Sequence, residues 1–319
     1  MHDINKILCV IDPTTEPQPA MNRAAWLAKA TGAELTLLIC YYNEYLSGER
    51  FFDAPSLEKA RTEVMTRQEE YLDKVAATLR DDGLTVHTAA VWDHPLYEGI
   101  VRQASTMGAD IVFKDTHYHS ATARLFLTNT DWNLIRTCQV PLWLVKPRDI
   151  KEHPIFIGSI DPLNDNDKPA ALDDEILEIS RYLADRTGGT AHAFHAFDPR
   201  MAIATATANA YVPVSLPYDE IEEQMREQHG KRFKDITKFH KIDDENAHLV
   251  AGATFEELPD LTEELNADVC VMGAVSRNPW KRLFIGATAE KVMDHLPCDL
   301  LIVKPDWFKT PVELSEKAA

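Results

Sequence analysis

The sequence predicts an α/β protein made of two tandem copies of one domain, each a five-stranded parallel sheet with helices on both faces. Two observations lead there. The second half of the chain repeats the first over long ungapped stretches. Each half also alternates short, continuously apolar runs with amphipathic helical stretches, the pattern of strands buried on both faces.

The repeat can be read directly. Residues 92–147 lie on residues 250–305 without a gap. "ADIVFKDTHYHSATARLFLTNTDWNLIRTCQVPLWLVKP" faces "ADVCVMGAVSRNPWKRLFIGATAEKVMDHLPCDLLIVKP". Within it Arg124-Leu125-Phe126 meets Arg282-Leu283-Phe284, and Val145-Lys146-Pro147 meets Val303-Lys304-Pro305. Earlier, "CVIDP" at 9–13 answers "GSIDP" at 158–162, and "WLAKATGAE" at 26–34 answers "YLADRTGGT" at 182–190. This is a duplication. The expected domains are 1–150 and 151–319, the second with a C-terminal tail, joined near residues 148–153.

In the first copy, residues 6–11 read as a strand and 19–31 as a helix stopped by Gly32. Residues 34–41 are again strand-like. Residues 56–80 form a long amphipathic helix with Val64, Tyr71, Val75 and Leu79 at helical spacing, ending at Gly83. Strand 86–91, helix 97–106, strand 111–114, helix 130–136 and strand 142–145 complete the copy. Such a flavodoxin-like, doubly wound order puts ligands at the carboxyl ends of the first and fourth strands.

Composition narrows the function classes. The chain has 319 residues, 45% hydrophobic and 26% charged, with a formal net charge of −18. That surface repels nucleic-acid backbones and anionic membranes, so direct nucleic-acid binding is not expected. No apolar run approaches the roughly 18 residues of a membrane span. The opening "MHDINKILCVIDP" lacks the basic start and small-residue cleavage site of a signal peptide, so a cytoplasmic location is expected. Cys9, Cys40, Cys138, Cys270 and Cys298 form no CxxC pair, and four of them sit in apolar runs. They read as reduced thiols rather than a disulfide framework.

Against the acidic background, "MGAVSRNPWKRLFIGATAEKV" at 272–292 gathers glycine and positive charge ahead of a helix-like stretch. In the second copy the first strand ends at Asp161, the third is followed by Gly252, and the fourth by Gly273. Asp161 can accept a hydrogen bond from a ribose hydroxyl or an adenine amine, or it caps the turn before Pro162. Gly252 and Gly273 leave room for a sugar or phosphate, or they begin turns. Gly286 precedes Ala287-Thr288-Ala289-Glu290, a helix start whose free N–H groups favour an anion. Arg277, Lys281 and Arg282 supply charge there, or they are a solvated loop. No GxxxxGK[ST] loop occurs.

These residues resemble the universal stress protein family in its tandem form, over nearly the whole chain. Nucleotide-binding members of that family show Gly-x2-Gly-x9-Gly-(Ser/Thr). This chain offers Gly273-x2-Ser276-x9-Gly286-Ala287, with the spacing kept and two identities changed. Thr288 stands next along as a substitute cap. The resemblance implies an adenine nucleotide alpha-hydrolase-like fold and ATP or a related adenine nucleotide, with or without magnesium, bound weakly in the second copy. It implies adenine contacts from Asp161 and from backbone near residues 193–195. It also implies stress survival, including DNA damage, and pairing of strands 142–145 and 300–303 into an intramolecular pseudo-dimer, leaving association of two chains open.

The first copy departs further. Gly252, Gly273, Ser276 and Gly286 become His94, Asp115, Tyr118 and Thr128, so no ATP is expected there. His94, Asp115, His117 and His119 have metal-ligand chemistry, but nothing fixes a geometry, and no metal site is assigned. His192 and His195 point to opposite faces of a strand. The apolar stretch 200–217 reads as packing or a pocket wall in preference to a lid. No general base is placed by a motif, so catalysis beyond slow hydrolysis is not indicated. An adenylate-forming enzyme would need an HxGH-like element, which is absent. The rival reading is a scaffold or small-ligand carrier using the altered first-copy cleft.

Overall fold

The computed structural model describes residues 3–48, 53–118, 125–163, 170–207, 217–274, 291–293 and 295–314. The chain divides into two compact units, one built on His2–His119, Phe126–Ile150 and Phe308–Ala319, the other on Lys151–Trp307.

The first unit runs β1 (Lys6–Val10), α1 (Pro19–Thr31), β2 (Glu34–Tyr41), α2 (Ala54–Asp81), β3 (Val86–Trp92), α3 (Leu96–Met107) and β4 (Ile111–Asp115). The two-residue strands β5 (His117–Tyr118) and β6 (Leu125–Phe126) follow, then α4 (Asn129–Thr137) and β7 (Leu142–Val145). Its strands order as β3-β2-β1-β4-β7, with each neighbouring pair parallel. The order reverses between β1 and β4, at the first and fourth main strands, where the sequence places a ligand crevice.

Local chemistry sets the boundaries. Pro19 starts α1, where a missing N–H costs nothing, and Gly32 ends it in the left-handed region at φ 76 with its N–H on the Ala28 carbonyl. Gly108 closes α3 in the same way at φ 64. Continuous apolar strands give a core buried on both sheet faces. Phe113 and Trp143, on adjacent strands, are fully buried and stack with ring centroids 4.9 Å apart. After Trp307 the chain adds Phe308 and Val312, both buried, to this unit. Arg102 Nη1 donates to the Glu313 carbonyl at 3.2 Å.

The second unit repeats the plan. It runs β8 (Ile155–Ser159), α5 (Ala170–Thr187), β9 (Thr190–Phe197), α6 (Pro199–Thr207), α7 (Tyr218–Phe239), β10 (Ala247–Ala251), α8 (Thr254–Glu264), β11 (Val269–Gly273) and β12 (Asp299–Val303). The strand order is β10-β9-β8-β11-β12, again parallel and again switching between the first and fourth strands.

One helix was not expected. Part of the stretch read as packing or a pocket wall is α6, while residues 208–216 lie outside the described residues. Asp198 explains its start. The Asp198 carboxylate accepts from the Arg200 N–H at 2.9 Å, and Pro199 takes the first helical position. Among the described residues no helix is long and apolar enough to cross a membrane. All five cysteines are free thiols, four of them buried and Cys40 half-buried.

Candidate functional site

Strand register brings the second-copy candidates to one sheet edge. Met272 pairs with Ser159, so Gly273 at the end of β11 and Asp161 just past β8 are neighbours on the carboxyl side. Ala251 pairs with Phe197, and the Gly252 N–H continues that ladder to the Phe197 carbonyl at 2.8 Å. Ser276, Arg277, Gly286, Ala287 and Thr288, with Lys281 and Arg282, lie outside the described residues.

Asp161 is half-buried, and its N–H donates to Asp173 Oδ1 at 3.0 Å. Asp173 sits in the first turn of α5 and is 7% exposed. Burial pushes its carboxyl up to about 7; the Asp161 N–H opposes this, and the charges of Asp161 and Asp174 add to it. A carboxyl only partly ionised near neutrality repels an approaching phosphate less than a fully ionised one would.

Both glycines are close-approach positions. A Cβ at Gly273 would come 2.5 Å from Leu172 Cδ2, and one at Gly252 would collide with the Glu257 carboxyl. The space the glycines leave is thus taken by Leu172 and Glu257. Both are side chains on helices that border the edge, and a sugar or phosphate entering there displaces them. Just past Gly273, buried Lys304 from the end of β12 donates to the Ala274 carbonyl.

Under the Asp161 edge lies a polar arrangement that no motif announced. The Ile160 carbonyl accepts from His195 Nδ1 at 3.0 Å, and His195 Nε2 lies 2.7 Å from His229 Nδ1 of α7. Burial disfavours the charged form of both rings, and in the neutral pair Nδ1–H of His195 is committed to Ile160 while its Nε2 accepts from His229. Phe197 stacks on His229 at 5.1 Å. Burial, then the His195 ring, lowers His229 to about 4, with Asp161 opposing. His195 is lowered too, by burial, against the Ile160 carbonyl and Asp161. His192 takes a different partner, with Nδ1 2.9 Å from His248 Nε2 of β10, and burial followed by His248 lowers it to about 4. Among the described residues no group of three or more His, Cys, Asp or Glu side chains is disposed to hold a metal ion.

The first-copy edge is built otherwise. Asp115 Oδ1 accepts from the Ala20 N–H at 2.6 Å, at the head of α1. Thr128 caps α4 in a reciprocal box with Asp131. His94 stacks on Tyr42 at 4.2 Å, beside Trp92. His119 lies outside the described residues.

Sequence reasoning missed Asp173, His229 and Lys304, and it read His195 only as a strand histidine near the backbone of residues 193–195, not as a partner of His229. Only Lys304 left a signal, the twice-repeated Val-Lys-Pro at 145–147 and 303–305.

A duplicated parallel α/β unit with a glycine-marked carboxyl edge is the frame on which comparison with known proteins converges. The sequence model of the universal stress protein family matches residues 3–146 and 164–304, and the chain belongs to that family. It is similar to Universal stress protein E of Escherichia coli (strain K12), 29% identical over 314 residues, covering 98% of this chain and 97% of that protein. Universal stress protein E of Photorhabdus laumondii is 24% identical over 322 residues, covering 99% and 100%. Among solved structures, a putative universal stress protein from Pseudomonas aeruginosa UCBPP-PA14 superposes with a TM-score of 0.72 at 24% identity, covering 95% of this chain and 94% of that one. A universal stress protein from Archaeoglobus fulgidus gives 0.67 at 16% identity, covering 95% and 99%. These two likenesses establish the fold.

Proposed function

We propose that the chain is a cytoplasmic stress-response protein, supporting survival under stress that includes DNA damage, whose second copy holds ATP or a related adenine nucleotide weakly. Family membership supports the stress role. One observation carries the nucleotide reading: the register sets Asp161 and Gly273 at the switch point of one sheet, with Gly252 further along the same carboxyl edge. Asp161 offers an acceptor to the ribose or adenine. Backbone beyond Gly273, with Ser276, Arg277, Gly286, Ala287 and Thr288, receives the phosphates, with or without magnesium. The nucleotide acts as a conformational ligand, since Leu172 and Glu257 must shift for it to enter.

The rival reading is a scaffold or small-ligand carrier without nucleotide, favoured by those same two side chains filling the glycine space. Calorimetric titration of the purified chain with ATP, with and without magnesium, separates the two. Saturable binding that disappears in Gly273→Trp supports the nucleotide. Binding retained in that variant moves the ligand elsewhere, and a flat titration favours the carrier.

A further inference from the structure

The first copy holds a fully buried carboxylate at the head of the helix that follows its fourth strand. Asp131 is 0% exposed. Its Oδ2 accepts from the Thr128 N–H at 2.7 Å and from the Thr128 hydroxyl at 2.8 Å. Its Oδ1 lies 2.8 Å from Lys114 Nζ, whose side chain is 14% exposed. Here a main-chain amide at the start of α4, a hydroxyl and the half-buried ammonium of Lys114, which also donates to the Asp115 carbonyl at 3.0 Å, converge on one anion near the switch point of the sheet. Those are the groups a phosphate oxygen requires. A second carboxylate, Asp115, takes the Ala20 N–H at the head of α1.

The duplicated sequence supplies an internal comparison. In the ungapped alignment of the copies, Asp131 falls on Ala289, its counter-ion Lys114 on Met272, and Asp115 on Gly273. Both members of the ion pair are exchanged together. Losing either one alone would strand a buried charge, whereas losing both leaves an apolar site.

We infer that Asp131 with Lys114, seconded by Asp115, decides which copy accepts a phosphate: the first copy carries its own anion and excludes an external one. The second copy has neither member of the pair, with Ala289 and Met272 in their places. The inference extends the proposed nucleotide reading of the second copy, but its first-copy half stands on the geometry just given.

The test is anion rescue in the full-length chain. Asp131→Ala is expected to melt roughly 10 °C below wild type, with faster amide hydrogen exchange across α4. Formate or inorganic phosphate should restore most of the melting temperature and slow α4 exchange again, while leaving wild type unmoved. A folded variant that responds to either anion no more than wild type does overturns the inference. Should Asp131→Ala fail to fold, Lys114→Met and the double variant Lys114→Met/Asp131→Ala replace it. A double variant that folds and melts above Lys114→Met supports the matched exchange, and one that fails to fold or melts no higher than Lys114→Met overturns it. No arm uses nucleotide, so a flat ATP titration and a failed rescue are separate outcomes.

Discussion

Nε2 of His195 lies 2.7 Å from Nδ1 of His229, tying the centre of β9 to α7 through two uncharged rings. A similar contact, His192 to His248 at 2.9 Å, ties β9 to β10. His192 and His229 are each lowered to about 4. Both folded values lie below the unfolded value of about 6.5. The unfolded chain therefore binds more protons between those limits, and stability contributed by these pairs is present above about pH 6.5 and lost as pH falls toward 4. Thermal melts across this interval should show the second unit weakening first. Exchange-protected amides of β9 and β10 report it directly, and a flat profile there would contradict the neutral pairing.

Asp173 titrates with the opposite sign. Its folded value of about 7 lies above the ordinary carboxylate range, so its contribution is lost as pH rises toward and past neutrality. Asp173→Asn keeps an acceptor for the Asp161 N–H and removes the charge. The variant should gain on wild type between pH 5 and pH 8 by roughly 1–4 kcal/mol. Paired denaturant titrations at the two pH values measure the gain, and equal differences at both would rule it out.

Trp143 stacks on Phe113 in the middle of the first unit's core, with no exposed surface. Trp143→Ala should cost about 3–5 kcal/mol, the usual toll of removing a buried aromatic side chain. Trp143→Phe retains most of the packing and should cost far less. Urea unfolding of the two variants should separate them clearly.

Arg102 is nearly enclosed by Asp93 and Glu98, at 2.8 and 3.0 Å, and bonds the Glu313 carbonyl. Arg102→Ala leaves two carboxylates without their cation, at an expected cost of about 3–5 kcal/mol. Limited proteolysis should then cut earlier within residues 308–314. Unchanged cleavage there would mean that Phe308 and Val312 hold the segment alone.

Most of the fold was written in hydrophobic period and punctuation. The runs of β1, β2, β4 and β7 are mainly apolar, and Gly32 stands where α1 must stop. The site was legible only where topology selects a position, as for Asp161 after the first strand and Gly273 after the fourth. His229 escaped notice because it sits in a helix dominated by charged residues, where one more polar residue carries no signal. Asp173 resembles any acid in a helix's first turn until its burial is seen. Helix α6 was hidden by Ala and Thr, which give no apolar stripe; its Asp198-Pro199 opening was the missed cue.

The placement of Phe308–Leu314 also bears on biosynthesis. Residues made after the second copy complete the packing of the first, since Phe308 and Val312 are buried in that unit and the Glu313 carbonyl meets Arg102. During translation the earlier copy therefore waits, its Arg102 corner unfinished, until the entire later copy has left the ribosome. A nascent chain stalled before residue 308 would expose that corner to chaperones and proteases.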